Sequence, residues 1–339
     1  MFKTILVAAA CAAALVPAAS AAGQPVDLRV GSYNVASVSL DSSKAGQEPW
    51  AQRRLGVIAN ILDAQLDVVG VQEANQSSHF AASTPDGINQ FLDLRNGLNK
   101  AGGQYALTNT NSYNCVNPAS SYKCVRKYSG ASGGTRILYD TDTVELVHQG
   151  SLRFSAQSAG IPDQYLAYAT LRSKATGTEF LFTSTHLSPS SATVRAAQWK
   201  QLIRKVNSLK GSLPVVNVGD YNTEKYDPLA ATMIPAMKNA GYGDVLNQVY
   251  RRNPTPHPRP LHEENAWINS LNRFHRDVAS FGYEDARNKT GNGIDWIFAT
   301  NSLVVRDYEV VVHFDPSTLQ VTGTIPSDHN MIRATLALS

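Results

Sequence analysis

The chain has 339 residues, of which 43% are hydrophobic and 17% charged, and this is the composition of an ordinary globular protein with a large core. The sequence contains no internal repeat and no low-complexity tract, which excludes repeat and fibrous architectures. The formal net charge of +3 is too small to indicate nucleic-acid binding by charge alone.

The first 21 residues have the pattern of a secretory signal peptide. Lys3 supplies a positive charge, residues 5–16 are apolar and rich in Ala, and Pro17 precedes the small residues at 19–21. Cleavage after Ala21 would release a mature chain, residues 22–339, to the extracellular space or the periplasm. An N-terminal membrane anchor is the alternative, although the apolar run is short for a bilayer. No other segment of the sequence is long and apolar enough to cross a membrane.

Hydrophobic periodicity over the mature chain predicts alternating strands and helices. Strands are predicted at 26–34, 67–72, 136–139, 180–186, 214–219, 294–300, 303–314 and 331–338. Helices are predicted from Pro49 onward, around 91–98 and over 194–209. Because no linker-like break interrupts this order, we expect one α/β domain over residues 22–339.

Two cysteines remain after the predicted cleavage, Cys115 and Cys124, in an otherwise polar stretch. An even pair in an exported chain indicates a disulfide bond, which would close a short loop and stabilise the fold by about 2–4 kcal/mol. A metal site is the weaker interpretation, since no His and no third Cys lies nearby in the sequence.

Residues 253–292 interrupt the pattern, with four prolines and several Arg, His and Asn residues. We interpret this segment as a long, partly ordered surface excursion on the substrate side, because long excursions in compact domains tend to be functional. Its arginines could bind phosphates, and Trp267, Phe274 and Tyr283 could stack on bases. The ordinary alternative is that the charges are solvated and the aromatic rings pack the segment down.

Six short motifs place polar side chains at the ends of apolar, strand-like runs. They are Ser32-Tyr-Asn34, Val71-Gln-Glu73, Thr185-His186-Leu187, Gly219-Asp220-Tyr-Asn222, Gly293-Ile-Asp295-Trp296 and Pro326-Ser-Asp328-His329-Asn330. Each motif alone has an ordinary explanation, such as an Asx turn, a helix cap or a histidine satisfied within the core. All six in this order, each beside a predicted strand, indicate one shared site.

The residue types in these motifs point to a particular chemistry. The sequence has no Ser or Cys in a nucleophile-elbow pattern, no H-E-x-x-H and no close Cys/His cluster. Carboxylate and amide oxygens suit a hard cation such as Mg²⁺, which also binds phosphate oxygens. Imidazolium groups can neutralise the charge on a phosphate undergoing attack, and a carboxylate can take a proton from water. The set therefore indicates metal-dependent hydrolysis of a phosphoester.

With these motifs, the chain resembles the endonuclease/exonuclease/phosphatase superfamily, the DNase I-like proteins, from Val26 to Leu338. The resemblance implies a four-layer α/β sandwich in which two packed mixed β-sheets are flanked by helices. It places the site at one edge of the sandwich. It also implies that Asn34 and Glu73 form a Mg²⁺ site with Glu73 as principal ligand, and that Asp328 assists the metal or His329. Mn²⁺ and Ca²⁺ are the alternative ions.

The same resemblance implies catalytic roles for the remaining motif residues. His186 and His329 would flank the scissile phosphate, and Asp220 would orient or deprotonate the attacking water. Asn222 would donate a hydrogen bond to the developing negative oxygen. Asp295 would pair with His186.

Two substrate contacts and three departures also follow from the resemblance. Thr290 matches a phosphate-contacting Thr and Arg136 an Arg on a central strand, so both are expected to bind substrate. The family's Gly-Asp-Phe-Asn motif has Tyr221 in place of Phe. Thr135 stands where DNase I has a carboxylate before its Arg-bearing strand. Ala74 follows Glu73, and the Arg that enters the DNA minor groove in DNase I has no counterpart here. The hydrolytic chemistry survives these changes, but specificity for duplex DNA does not follow.

The favoured function is an extracellular endonuclease acting on DNA or RNA as a monomer. The alternative is a lipid or inositol phosphate hydrolase, resembling sphingomyelinases or phosphoinositide phosphatases. A lipid hydrolase would need an exposed apolar hairpin at the membrane surface, and the sequence has no strongly apolar stretch of that kind. A non-catalytic binding protein on the same fold is a third reading, and the intact set of motif residues argues against it.

Overall fold

The computed structural model describes residues 25–41, 43, 45–109, 132–246, 262–279 and 291–338. The signal peptide at 1–21, the pair Cys115 and Cys124, Tyr283 and Thr290 lie outside the described residues. The predictions made for them therefore stay predictions. Within the described part of the chain, no helix combines the length and the apolar character that crossing a bilayer requires.

Strands and helices alternate over the first hundred residues, as the sequence predicts, and strands predominate in the rest of the described chain. The strands are β1 (Val26–Asn34), β2 (Val68–Gln72), β3 (Tyr105–Leu107), β4 (Arg136–Asp140), β5 (Val144–Arg153), β6 (Tyr165–Ser173), β7 (Glu179–His186), β8 (Val215–Asp220), β9 (Tyr242–Asp244), β10 (His262–Glu264), β11 (Asp295–Thr300), β12 (Val304–Val311), β13 (Phe314–Asp315), β14 (Gln320–Val321) and β15 (Met331–Leu338). The helices are α1 (Trp50–Asp63), α2 (Gln90–Lys100), α3 (Ala192–Lys210) and α4 (Pro228–Asn239). Two short 3-10 helices span Val38–Leu40 and Ser78–Ser83.

Two sheets face each other, and two helices cover the outer face of each. The first sheet has seven strands in the order β10-β12-β15-β1-β2-β4-β3, and the second has six in the order β5-β6-β7-β8-β11-β9. α1 and α2 pack on the first sheet, whereas α3 and α4 pack on the second. Both sheets mix parallel and antiparallel pairs. This four-layer α/β sandwich confirms the predicted fold class.

The central strands bury both of their faces, which explains their nearly continuous apolar sequences. Val30 and Leu28 of β1 pack between the sheets against residues of β7 and β8, while Tyr33 faces the helices. The sheets approach closely at Gly70 of β2, where an added Cβ would lie 2.8 Å from Ser184 Oγ. A side chain at this position would force the sheets apart, so the glycine sets their spacing near the site.

The segment predicted as a surface excursion is in part an interior element. In its described portion, β10 pairs in parallel with β12, and Ile268, Phe274 and Val278 are buried in the inter-sheet core. Phe274 is only 3% exposed, and Trp267 packs edge-on against Phe314, so these two rings anchor the segment and are not free to stack on bases. The surface interpretation was wrong for the buried positions within residues 262–279, because these apolar positions have no regular period, whereas Arg273 and His275 are exposed.

Candidate active site

The topology brings all six motifs to one edge of the sandwich. β1 and β2 are parallel neighbours; β1 ends at Asn34, and Glu73 directly follows β2. β7 and β8 are also parallel, and they end at His186 and Asp220. The remaining two motifs precede strands that run the opposite way. Asp295 begins β11 directly opposite Asp220, and His329 lies just before β15, which is antiparallel to β1.

A cavity of 630 Å³ opens at this edge. Six of its lining residues come from the predicted site: Glu73, His186, Asp220, Asn222, Asp328 and His329. The other lining residues include Ala45, Pro189, Leu271, Arg273, His275 and Ile294. Its volume lies within the range of about 300–1,000 Å³ that is usual for small-molecule sites.

Asn34 joins the carboxylates of the two sheets. Its Nδ2 donates to Glu73 Oε1 at 3.1 Å and to Asp220 Oδ2 at 3.1 Å. Its Oδ1 accepts a hydrogen bond from the Ala36 backbone N–H at 3.0 Å. Asn34 therefore fixes the positions of two carboxylates in this structure, and a direct contact of its amide oxygen with a metal stays a prediction.

Glu73 is held in an unusual backbone conformation. Its φ is 58°, in the left-handed region, which non-glycine residues rarely adopt. Its Oε2 accepts from the Ser37 backbone N–H at 3.1 Å, and a Cβ added at Gly134 would lie 3.3 Å from Glu73 Cα. Asn222 also has a positive φ, 47°. Such strained residues cost about 1–3 kcal/mol each and cluster at functional sites, because the surrounding contacts must hold them.

His329 is buried between carboxylates. Its Nδ1 is 2.8 Å from Asp295 Oδ2, and its Nε2 is 3.8 Å from Asp220 Oδ2. Burial lowers the pKa of His329, but the charge and hydrogen bond of Asp295, with the charges of Asp220 and Asp328, outweigh this and raise it to about 10. The imidazole is therefore protonated at neutral pH and presents a positive charge to the cavity.

The expected pairing of Asp295 with His186 was wrong, because Asp295 hydrogen-bonds His329. The register of β11 on β8 carries Asp295 toward the first sheet, where His329 lies. His186 instead approaches Asp220, with 3.5 Å between Nε2 and Oδ2. Asn222 Nδ2 donates to the Leu187 carbonyl at 2.9 Å and so holds the turn that follows His186.

Asp220 occupies the centre of the site and is 1% exposed. Burial raises its pKa, an effect partly opposed by His186 and His329 and reinforced by Asp295. Its Oδ1 accepts from the Asn222 backbone N–H at 2.8 Å, which leaves Oδ2 toward the histidines and Asn34. A carboxylate with a raised pKa accepts a proton more readily, as the predicted role of Asp220 requires.

Arg136 does not reach this cavity, so its predicted role as a substrate contact was wrong. The side chain is fully buried, its Nη1 donates to Ser132 Oγ at 2.6 Å, and its guanidinium lies over the Phe91 ring at 4.4 Å. Burial lowers the pKa of Arg136 to about 9. The residue stands on the predicted strand, but its side chain points toward α2 and away from the site.

Arg53 is a positioning residue that the sequence patterns missed. It lies on the buried face of α1, and its Nη1 donates to the carbonyls of Val35 at 2.5 Å and Pro326 at 3.3 Å. Its Nη2 donates to the Ala36 carbonyl at 2.7 Å and to Asp41 Oδ1 at 3.0 Å. Arg53 therefore ties the loop after Asn34 to the loop before Asp328. The available signal was an Arg on the apolar stripe of a helix.

Two serines complete the framework of the site. Ser327 Oγ donates to the Asn34 carbonyl at 2.7 Å, which links the Asp328 loop to β1. Ser270 Oγ accepts from the backbone N–H groups of Ile294 at 3.1 Å and Asp295 at 3.2 Å. Both serines are buried, and each fixes a backbone that carries a motif carboxylate.

The comparison with protein families decides the classification. The profile described as "Endonuclease/Exonuclease/phosphatase family" matches residues 31–329, which span every element of the site. The chain belongs to this family. Endonuclease/exonuclease/phosphatase proteins are phosphoester hydrolases, and that coarse activity extends to this chain.

Three known proteins show how far the similarity extends. Drosophila melanogaster nocturnin is 27% identical over 220 residues, which are 61% of this chain and only 30% of the fly protein. The mannosyl-6-phosphatase of Bacteroides thetaiotaomicron has 20% identity and a TM-score of 0.63, with 92% of this chain and 100% of that one covered. D. rerio TDP2, solved with a single-strand DNA product, has 17% identity and a TM-score of 0.57, with 91% and 98% covered. At these identities the two solved structures establish the fold alone.

Members of the endonuclease/exonuclease/phosphatase family generally use divalent metals, and the donor set here fits such an ion. Glu73, Asp220 and Asp328 all line the cavity and offer the carboxylate oxygens that hard cations prefer. Among the described residues, Asp220, Asp295 and His329 also have ligand atoms within 4.8 Å of one another. Protonated His329 already pairs with Asp295, whereas the carboxylate of Glu73 lines the cavity and accepts only neutral hydrogen bonds from Asn34 and Ser37, so Glu73 fits the ion better.

Proposed function

We propose that this chain is a divalent-metal-dependent phosphodiesterase that cleaves nucleic acid with an activated water molecule. The observation that carries the proposal is the arrangement of Asp220, His329 and Asp295 in one hydrogen-bonded and charged network beside Glu73. This network combines a proton acceptor, a buried positive charge and an oxygen ligand within one cavity.

Each catalytic group has a defined task in this proposal. Asp220 accepts a proton from the water that attacks phosphorus, because its raised pKa favours the protonated product. As the bond from water to phosphorus forms, the ester P–O bond on the opposite side of phosphorus breaks, and the departing oxygen takes a proton from solvent. Protonated His329 and the imidazole of His186 face the non-bridging oxygens, whose charge grows as the bond to water forms. Asp295 keeps His329 oriented and positive. A Mg²⁺ ion held by Glu73 and Asp328 would supply Lewis-acid polarisation of the phosphate.

Nucleic acid is the proposed substrate class because Arg273 adds a positive charge to the wall of the cavity that holds the carboxylates of Glu73, Asp220 and Asp328. Arg273 and His275 line the same cavity. The fold's occurrence in D. rerio TDP2 with a DNA product is consistent with this choice. Large apolar side chains that are exposed in the described residues, such as Leu40, Leu55 and Val147, stand on separate elements, which does not favour a lipid surface. We keep export through the predicted signal peptide, and a monomeric state, as parts of the proposal.

A panel of phosphoesters tests the proposal directly. The mature protein is incubated with and without Mg²⁺ against duplex DNA, single-stranded DNA, RNA, sphingomyelin, inositol phosphates and mannose 6-phosphate. Asp220→Asn is the inactive control. Metal-dependent cleavage of nucleic acid that is lost in the control supports the proposal. Cleavage confined to lipid, inositol or sugar phosphates would keep the site and overturn the substrate.

Export and oligomeric state have their own test. The full chain is expressed in a bacterial host, and the mass and N-terminus of the exported product are determined. A product that begins at residue 22 supports the signal peptide, whereas a full-length product that stays with the membrane would overturn it. Light scattering on the same sample gives the oligomeric state.

A further inference from the structure

A turn at residues 271–276 carries two basic side chains into the cavity. The backbone N–H groups of Asn272 and Arg273 both donate to the Asp328 carbonyl, at 2.7 and 2.9 Å. Asn272 Nδ2 donates to Asn330 Oδ1 at 2.8 Å, and Leu271 forms a β-bridge with His329. The turn is thus built directly onto the motif that carries the catalytic histidine.

The turn holds two consecutive residues in the left-handed region, with φ of 54° at Arg273 and 61° at Phe274. Asn272 Oδ1 accepts from the Phe274 backbone N–H at 2.8 Å, and the Phe274 ring is buried in the inter-sheet core. Neither residue is a glycine, so this backbone conformation is strained and these contacts hold it in place. The result is that Phe274 faces the core while Arg273 and His275 face the cavity.

Arg273 and His275 lie nearer to solvent than the catalytic residues at the bottom of the cavity. Asp220, Asp328 and His329 are buried, whereas Arg273 and His275 are exposed at the opening of the same cavity. Arg273 forms no ion pair within the part of the chain that the structure describes. The buried part of the cavity already holds protonated His329 for the scissile phosphate. The charge of Arg273 at the opening is therefore placed to contact a group farther along the substrate.

We propose that Arg273, with His275 beside it, binds a second phosphate of the substrate and makes the enzyme selective for phosphoesters that carry one. This inference rests on the proposed function, in which the second phosphate is the neighbouring phosphate of a nucleic-acid strand. Arg presents a planar fork of donors that matches two phosphate oxygens, and its charge does not depend on pH. Arg273 is therefore a specificity-determining residue and takes no part in the proton transfers.

The first test measures binding without catalysis. In an Asp220→Asn background with Mg²⁺, calorimetry compares a nucleoside 5′-monophosphate with the corresponding 3′,5′-bisphosphate. We expect the bisphosphate to bind about 10- to 100-fold more tightly, the contribution of a hydrogen bond between charged groups. Arg273→Gln should remove this preference, and Arg273→Lys should restore part of it. Equal affinity for the two ligands before substitution would overturn the inference.

The second test separates a specificity role from a structural one. Wild type, Arg273→Gln and Arg204→Gln are assayed on a dinucleotide with and without a terminal phosphate. Arg204 is an exposed cation on α3 and serves as the matched control for the loss of one positive charge. We expect Arg273→Gln to raise KM for the phosphorylated substrate alone, with kcat unchanged. An equal loss of kcat/KM on both substrates would contradict the inference. If the wild type is inactive on every nucleotide, the proposed function is refuted, and the binding test then decides the inference.

Discussion

Replacement of Arg53 by Met should damage both the stability and the site. The guanidinium is fully buried and donates to the carbonyls of Val35, Ala36 and Pro326 and to Asp41. Val35 and Ala36 directly follow Asn34, and Pro326 lies two residues before Asp328. Met replaces the aliphatic stem of Arg53 but not its guanidinium, so it leaves three carbonyls and one carboxylate without their donor.

The magnitude follows from these four partners. Removing one member of a buried ion pair costs about 3–5 kcal/mol, because the remaining charge stays buried without compensation. The Asp41 carboxylate is 14% exposed and recovers some solvation, so we expect the lower half of this range, about 3–4 kcal/mol. Displacement of the two loops should also lower kcat by about 100-fold, since a misplacement of about 1 Å can have that effect.

Urea unfolding and steady-state kinetics measure the two effects separately. Arg54→Met is the matched control. Arg54 is also nearly buried, but it forms an ion pair with Asp93 on α2, with 3.0 Å between Nε and Oδ2, and its ion pairs and hydrogen bonds among the described residues involve Asp86 and Asp93, outside the site. The control should lose stability and keep its activity per folded molecule. Full activity in folded Arg53→Met, or a loss of stability below about 1 kcal/mol, would refute the reasoning.

Three further predictions concern the site and the undescribed loop. Glu73→Ala and His186→Ala should each abolish hydrolysis with an unchanged circular dichroism spectrum, and wild-type turnover by either variant would refute the site. Because the pKa of His329 is raised to about 10, its contribution to stability is complete below its unfolded pKa of about 6.5 and is lost as the pH rises toward 10. In Asp295→Asn the melting temperature should fall less between pH 7 and 10 than in the wild type. An equal fall in both proteins would contradict the pairing of Asp295 with His329. The mature protein should show no titratable thiol at Cys115 or Cys124, and two free thiols would exclude the disulfide.

The sequence predicted most of the residues that the structure brings together at this edge, but not how they pair. Strand-end positions such as Asn34 and His186 can be read from apolar runs, because parallel neighbours end at the same edge of a sheet. The order of strands across a sheet cannot be read in this way. The partner of Asp295 depends on β11 lying antiparallel between β8 and β9, and this arrangement selects His329.

The sequence also could not predict the direction of individual side chains or the conformation of irregular segments. Arg136 stands on a correctly predicted strand, but a two-residue period has two possible phases, and the true one buries its guanidinium against Phe91. β5 and β6 were not predicted, and β5 is exposed along much of its length, as suits an edge strand with weak apolar alternation. Arg273 gave no periodic signal, because its orientation depends on a strained turn.

The side-chain amide of Asn34 makes the geometry of the active site depend on the alignment of the two sheets. One nitrogen donates both to the carboxylate that follows β2 and to the carboxylate that ends β8, so it bridges the two halves of the sandwich. A slide of one half over the other by about 1 Å would break one of these bonds. On heating, turnover should therefore cease together with separation of the halves and not through gradual loosening of one loop.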